Sequence, residues 1–196
     1  MAILLTGFAP FGGMSTNPSG EIARALDGDG VTGACLPVDH ERFRAPLAEL
    51  LARDWEAVVL MGVAVKVAEL NLERVAINFR DTGRPDNSGR APETTEVVPG
   101  GPAAYFSTLP LEDLRDDLAR AGLPVTISLT AGAYLCNASF YFARHHLDAR
   151  STPCGFVHIP ATPAMGTNGP SLAMEEQIRG VRLILDRLST GAARSA

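Results

Sequence analysis

Short runs of consecutive apolar residues alternate along the chain with stretches in which apolar residues recur every three or four positions. The run at 57–63 is apolar on both faces, which is typical of a strand inside a parallel sheet. At 40–53, Phe43, Leu47 and Leu51 recur at helical spacing and predict an amphipathic helix. Together these patterns predict strands at 2–6, 31–38, 57–63, 73–79, 125–129 and 156–159, and helices at 18–26, 40–53, 111–122, 133–147 and 170–189.

This order of elements predicts an α/β fold with a mostly parallel sheet and helices on both faces. No internal repeat or linker interrupts it, so we expect one domain over 1–196. Asn17 or Ser19 is expected to cap the helix at 18–26. The stretch 80–101 is rich in Gly, Pro, Asp, Asn and Thr and predicts a long loop, and loops of this length are often functional.

Composition and charge exclude several classes of partner. The net charge is −5 and there is no basic tract, which argues against nucleic acid or an anionic membrane surface. The longest apolar run, 57–65, is far shorter than the roughly 20 residues of a membrane-spanning helix. The first residues carry no charged leader, and the number of cysteines, three, is odd. We therefore expect reduced thiols in the cytoplasm.

Cys136 is the first candidate for chemistry, because it follows a strand end and a turn. Gly132 permits a sharp turn between the strand at 125–129 and the helix at 133–147. Cys136 then falls in the first helical turn, where the helix dipole favours the thiolate, the nucleophilic form. The alternative, a small buried hydrophobic residue, stays open at this point.

A thiol hydrolase needs a base, usually a histidine. His40, His145 and His146 lie at helix ends, which explains them structurally. His158 instead lies near the carboxyl end of a strand, where open parallel sheets form their sites, so it could face Cys136. A buried core histidine is the competing interpretation.

The remaining polar candidates are weaker. Cys154 and His158 are four strand residues apart, about 13 Å, too far to chelate one metal ion, and no metal-binding motif is present. Glu73, expected to lead the strand at 73–79, is a candidate to orient the histidine; a surface ion pair with Arg74 is the alternative.

The loop at 7–13 has the glycine spacing of a phosphate loop but lacks its lysine, since Gly13 stands in that place. Its two phenylalanines, Phe8 and Phe11, suit a flat, uncharged ligand better than a nucleotide.

These residues resemble the motifs of pyroglutamyl peptidase type I, also called pyrrolidone-carboxylate peptidase, over essentially the whole chain. The motifs are TGFAPFGG at 6–13 with Asn-Pro at 17–18, ERVAIN at 73–78, PDN at 85–87 with YFSTLP at 105–110, and AGAYLCN at 131–137 with GFVHIP at 155–160.

The resemblance implies an α/β/α sandwich, no cofactor, and a homo-oligomer, a tetramer or a dimer. It implies that peptides bearing an N-terminal pyroglutamate are the substrates. It assigns the nucleophile to Cys136, the base to His158 and the orienting acid to Glu73. It further implies substrate-binding roles for a set of pocket residues, namely Phe8, Phe11, Asn17 and Asp86. We add Arg84 to the candidate substrate-binding residues because it stands next to the position of a family arginine.

The chain departs from the family in its pocket loops. Gly83 stands where many members have an arginine near the active centre, and we expect Arg84 or Arg80 to restore that charge. Val65, Lys66 and Val67 stand where many members have Gly-Gly-Arg, and Asn71 replaces a Ser or Thr. Two other functions stay open: a cysteine amidase for another small cyclic amide, and a binding protein on a decayed peptidase scaffold.

Overall fold

The computed structural model describes residues 2–192, so Met1 and residues 193–196 of the expected domain lie outside the described part. In chain order the strands are β1 (Ile3–Phe8), β2 (Val31–Leu36), β3 (Ala57–Ala64), β4 (Leu70–Glu73), β5 (Val75–Ile77), β6 (Ala104–Phe106), β7 (Val125–Ser128) and β8 (Cys154–Pro160). The helices are α1 (Pro18–Ala25), α2 (Arg44–Leu51), α3 (Leu111–Arg120), α4 (Leu135–His146) and α5 (Met174–Ala192), with a short 3₁₀ helix at Pro163–Met165.

Six strands form the central sheet in the order β2-β1-β3-β8-β4-β7. All neighbouring pairs are parallel except β4 with β8, which is antiparallel. Helices α2 and α4 cover one face and α1, α3 and α5 the other, each over its own apolar core. The predicted α/β fold with a mostly parallel sheet is confirmed, and its layers are those of an α/β/α sandwich.

One predicted strand, 73–79, is wrong. The chain leaves the central sheet at Arg74, whose backbone N–H donates to the Ser128 carbonyl, and β5 then pairs with β6 in a separate two-stranded sheet. Glu73 therefore ends β4 instead of leading a strand. Leu70 and Leu72 alternate with polar residues, which is the strand signal that the prediction overlooked.

The other predicted elements are present with shifted ends. The helices at 40–53 and 170–189 begin later than expected, at Arg44 and Met174. Asn17 caps α1, its Oδ1 accepting from the Ser19 N–H. The long loop is confirmed, since no helix or strand lies between β5 and β6. None of the described helices combines the length and apolarity needed to cross a membrane.

Candidate active site

Three neighbouring strands place residues of the candidate site on the same face of the sheet, beneath α4. In β3, Val58 and Leu60 face the core under α4 and α2, so Gly62 lies on the same face. In β8 that face carries Phe156 and then His158. In β4 the leucines face the opposite core, which leaves Glu73 on the α4 side. Sheet periodicity thus brings Gly62, His158 and Glu73 to one place.

Cys136 reaches this place from the start of α4. It is the second residue of the helix, and Gly132 adopts φ +76° in the preceding turn, as expected. However, β7 runs opposite to β8, because it is parallel to β4, so the two strands do not end at the same edge. The prediction that Cys136 and His158 meet because their strands end at the same edge of the sheet is therefore wrong. The two side chains meet because the connection at 129–134 brings the chain to His158.

The side chains of Glu73, His158 and Cys136 follow one another in the site, with His158 hydrogen-bonded to Glu73 and lining the same cavity as Cys136. His158 Nδ1 lies 2.7 Å from Glu73 Oε1, and both residues are buried. Burial by itself lowers the pKa of His158, but the charge and hydrogen bond of Cys136, together with those of Glu73, raise it to about 10. The surroundings of the imidazole thus favour its protonated form.

The N-terminus of α4 has unused backbone donors. Its N-cap residue, Tyr134, makes no side-chain capping bond. The amides of the first turn have no acceptor within a helix, so those of Leu135, Cys136 and Asn137 can serve an anion there. Such donors suit the oxyanion of an acyl-transfer reaction.

Asn137 fixes this turn to the chain that leads into the long loop. Its Oδ1 accepts from the Ile77 N–H at 2.9 Å, and its Nδ2 donates to the carbonyls of Ile77 and Phe79, each at 2.9 Å. The side chain is fully buried. The predicted site did not include this asparagine, although it stands in the same motif as Cys136.

Gly62 was also missed, and its role depends on a close approach that sequence spacing does not reveal. It is the register partner of His158 in β3 and β8. A Cβ at this position would lie 2.7 Å from Cys136 Sγ and 3.0 Å from Phe156 Cζ. Only glycine leaves room for the thiol here.

We therefore expect Gly62→Ala to displace the Cys136 thiol from His158 and to lower kcat on the order of 100-fold, since misplacement by about 1 Å has effects of this size. Steady-state kinetics on a pyroglutamyl amide and a thermal melt would measure activity and folding separately. Gly132→Ala is not a suitable control, because its positive φ adds backbone strain. Wild-type kinetics in Gly62→Ala would show that the thiol position tolerates a methyl group.

A cavity of about 570 Å³ opens above Cys136 and His158. Four of the predicted substrate-binding residues line it: Phe8, Phe11, Asn17 and Arg84. The amide of Asn17 is already committed, because its Nδ2 donates to Ala9 O and its Oδ1 accepts from Ser19. Its contribution is thus to hold the phenylalanine loop at the cavity wall.

Asp86 does not line this cavity; it lines a neighbouring one of about 510 Å³. Its carboxylate accepts from the backbone N–H of His40 and from Ser88 and Arg90. Although burial opposes ionisation, these hydrogen bonds lower the pKa of Asp86 to about 2. Asp86 therefore stabilises the conformation of the long loop.

Of the two arginines expected to replace the family arginine, only Arg84 lines the cavity with Cys136. Its guanidinium lies 4.2 Å from the centroid of the Tyr134 ring. Arg80 is buried elsewhere, where it donates to Glu41 Oε1 at 3.0 Å and to Thr94 Oγ1 at 2.9 Å. Arg80 therefore lines the neighbouring cavity and not the cavity of Cys136.

The long loop is fastened across the site by hydrogen bonds at several points. Asn87 Nδ2 donates to the Pro10 carbonyl at 2.8 Å, which joins the long loop to the phenylalanine loop. The Tyr134 hydroxyl donates to the Pro85 carbonyl at 3.0 Å. His40 Nε2 lies 3.0 Å from the Arg84 carbonyl oxygen. These contacts give the cavity a defined roof.

The other two cysteines lie apart from the cavity, in strands as expected. Cys154 is fully buried, and burial raises the pKa of its thiol to about 12. Cys35 is exposed on β2, at the edge of the sheet. Neither residue lines the cavity with His158.

Comparison with known proteins agrees with the fold and with the sequence motifs. The pyroglutamyl peptidase family model matches residues 1–190. Pyrrolidone-carboxylate peptidase 1 of Ralstonia nicotianae is 40% identical over 198 residues, covering 94% of this chain and 91% of the relative. The pyrrolidone-carboxylate peptidase of Thermococcus kodakarensis is 37% identical over 194 residues, covering 94% of each chain.

Solved structures give the same result. A mutant pyrrolidone carboxyl peptidase from the hyperthermophile Pyrococcus furiosus has a TM-score of 0.93 at 34% identity, covering 97% of this chain and 99% of that one. The pyrrolidone carboxyl peptidase of Thermococcus litoralis has a TM-score of 0.91 at 33% identity, covering 99% and 95%. Since sequence and structure match over nearly the full length, the chain belongs to the pyroglutamyl peptidase family, a family of cysteine peptidases.

Proposed function

We propose that this chain is a peptidase that hydrolyses the amide bond after an N-terminal L-pyroglutamyl residue, with Cys136, His158 and Glu73 as its catalytic triad. The observation that carries the proposal is that Cys136 and His158 line the same cavity while the buried Glu73 is hydrogen-bonded to His158 behind them, in a member of the pyroglutamyl peptidase family. No step of the proposed reaction requires a cofactor.

The reaction begins from a Cys136 thiolate beside a His158 imidazolium. The sulfur attacks the pyroglutamyl carbonyl carbon, and the amides at the start of α4 stabilise the oxyanion. The imidazolium then gives its proton to the leaving amine as the carbon–nitrogen bond breaks, which leaves a thioester on Cys136. Neutral His158 next takes a proton from water, and the resulting attack releases pyroglutamate and restores the thiolate.

Glu73 acts through His158. Its carboxylate holds Nδ1–H, which fixes the ring so that Nε2 faces the sulfur and stabilises the imidazolium charge. Because both groups are buried, this interaction is little screened by solvent.

Recognition of the pyroglutamyl ring follows from its chemistry. The ring is a neutral lactam without a free α-amine, so an apolar wall with backbone hydrogen bonds suits it better than an acidic clamp. Phe8 and Phe11 supply such a wall in the cavity. Phe8 and Phe11 are therefore the substrate-binding residues of this proposal.

We expect Phe11→Ala to raise KM for a pyroglutamyl amide roughly tenfold with a smaller effect on kcat, because the ring loses aromatic contact while the triad is untouched. Phe11 is preferable to Phe8 for this test, since Phe8 is only 4% exposed and its loss would also leave a cavity in the core. Phe79→Ala, an exposed phenylalanine that does not line the cavity, is the matched control. An unchanged KM in Phe11→Ala would remove this ring from the binding site.

One experiment separates the proposed function from its two competitors. Purified chain is given a chromogenic pyroglutamyl amide and, in parallel, amides of other small cyclic acids. Cleavage of the pyroglutamyl compound supports the proposal, selective cleavage of another ring indicates a different cysteine amidase, and binding without cleavage indicates a decayed scaffold.

We further propose that residues 1–196 form one catalytic domain that works in the cytoplasm as a homo-oligomer, a tetramer or a dimer. A reducing compartment keeps a reactive thiol such as Cys136 in its active form. An apolar surface supports self-association: Ile77 of β5 and Phe106 of β6 are exposed while Ala76 and Tyr105 face inward. Outward apolar faces of this kind often mark interfaces.

A further inference from the structure

The cavity above Cys136 carries an excess of positive charge. Five ionisable residues of the described part of the chain line it, namely Lys66, Arg84, Tyr134, Cys136 and His158. Of these, Lys66 and Arg84 bear a fixed positive charge at neutral pH. No Asp or Glu is among the lining residues, although the whole chain has a net charge of −5. The cavity is therefore cationic within an acidic protein.

Neither cation has a carboxylate partner within residues 2–192. Arg84 packs its guanidinium on the Tyr134 ring, an uncharged partner, and makes no side-chain hydrogen bond in this part of the chain. Lys66 is exposed and takes part in no ion pair there. By contrast Arg44 and Arg80, in the neighbouring cavity, share the carboxylate of Glu41.

Lys66 is the only lysine of the chain, against sixteen arginines. It lies two residues beyond the end of β3 and four residues after Gly62, the position next to Cys136 Sγ. Arg84 is held by Tyr134, two residues before Cys136. Both cations are thus supported by the elements that position the nucleophile.

The pyroglutamyl ring offers these cations no partner, because it is uncharged. The opposite side of the scissile amide is different: in a dipeptide the leaving residue bears a free carboxylate, and an acidic residue bears one on its side chain. A carboxylate close to the scissile bond would meet both cations, and Arg84 can bind it with two parallel hydrogen bonds.

We propose that Lys66 and Arg84 select pyroglutamyl peptides whose leaving segment carries a carboxylate next to the scissile bond. This inference rests on the proposed function and adds the substrate class. The two cations act on binding, so their effect falls on KM more than on kcat. Because both are exposed, added salt reduces the effect.

Two isosteric pairs of substrates test the inference and separate the two sources of the carboxylate. The first pair is pyroglutamyl-alanine and pyroglutamyl-alanine amide, which differ in the C-terminal carboxylate. The second is the amides of pyroglutamyl-glutamate and pyroglutamyl-glutamine, which differ in a side-chain carboxylate. We expect at least one pair to favour the acid about two- to fivefold in kcat/KM at low salt, a size typical of exposed charge pairs.

The charge series Lys66→Arg, Lys66→Gln and Lys66→Glu, alone and with Arg84→Gln, assigns the preference to these residues. The ratio of acid to neutral substrate should survive in Lys66→Arg, fall in Lys66→Gln and invert in the Lys66→Glu, Arg84→Gln double variant. Arg53→Gln is the matched control, because Arg53 also packs on an aromatic ring, 4.5 Å from the Trp55 centroid, but does not line the cavity. Its ratio should equal that of the wild type.

Equal kcat/KM within both pairs, or a preference that persists in the double variant, would overturn the inference. So would a loss of kcat that is the same for acid and neutral substrates, because it would assign the cations to the chemical step. Cleavage of the neutral amides shows at the same time that the proposed function holds, so failure of the inference is distinguishable from failure of the function.

Discussion

Cys136→Ala is expected to abolish hydrolysis of pyroglutamyl amides, with a loss on the order of 10⁴-fold or more in kcat, because removal of a nucleophile stops the covalent route. The variant should fold normally, since Cys136 lies at the cavity and is only partly buried. Iodoacetamide should label Cys136 of the wild type fastest and inactivate the enzyme in proportion to labelling. Peptide mass spectrometry and residual activity measure the two in parallel.

Cys35 and Cys154 provide the matched controls. Cys35→Ser should keep full activity, because this exposed thiol is on the edge strand β2 and does not line the cavity with His158. Cys154 should alkylate slowest, since it is fully buried and burial raises the pKa of its thiol. Retained activity in Cys136→Ala, or inactivation that follows the labelling of Cys35, would contradict the assignment.

Glu73→Gln is the second change with a large expected effect, a loss of roughly 100- to 10,000-fold in kcat, comparable to removal of the carboxylate from other catalytic triads. The amide can neither stabilise the imidazolium nor accept from Nδ1–H in the same way. Since Glu73 helps to raise the pKa of His158, its loss should lower that pKa. The leaving amine needs the imidazolium as its acid, so the alkaline limb of the pH profile of kcat/KM should move to lower pH.

Glu112→Gln is the control for this substitution. Glu112 is a surface glutamate that accepts a hydrogen bond from Arg74 at 2.6 Å. It therefore forms the surface ion pair with Arg74 that was the alternative prediction for Glu73. Its kinetics and pH profile should match the wild type. A change of less than about threefold in Glu73→Gln, well under 1 kcal/mol, would show that the buried carboxylate does not take part.

Much of this site was predictable because its residues stand at element ends with clear local signals. Cys136 follows a turn that needs glycine, and His158 lies near the end of an apolar strand. The pairing of Glu73 with His158 was not predictable from periodicity. It depends on β4 running antiparallel to β8, and isolated alternation does not encode strand direction.

Features that depend on tertiary approach escaped the sequence altogether. In the sequence, Gly62 is a small residue within a buried strand. Only the structure shows that the Cys136 thiol lies against it. In the sequence, Asn137 is a polar residue in a predicted helix. Only the structure shows that its side-chain amide binds the backbone of Ile77 and Phe79. Asp86 belongs to a specific motif, yet its hydrogen bonds organise the loop outside the cavity of Cys136.

The central claim is that this chain transfers a pyroglutamyl group to Cys136. Acid quench of the enzyme during turnover of a pyroglutamyl amide, followed by peptide mass spectrometry, tests it directly. We expect the mass of one pyroglutamyl group on the peptide that contains Cys136, and none in Cys136→Ala. Release of pyroglutamate by the Cys136→Ala variant, or turnover without any adduct on Cys136 under conditions that trap thioesters, would contradict the account.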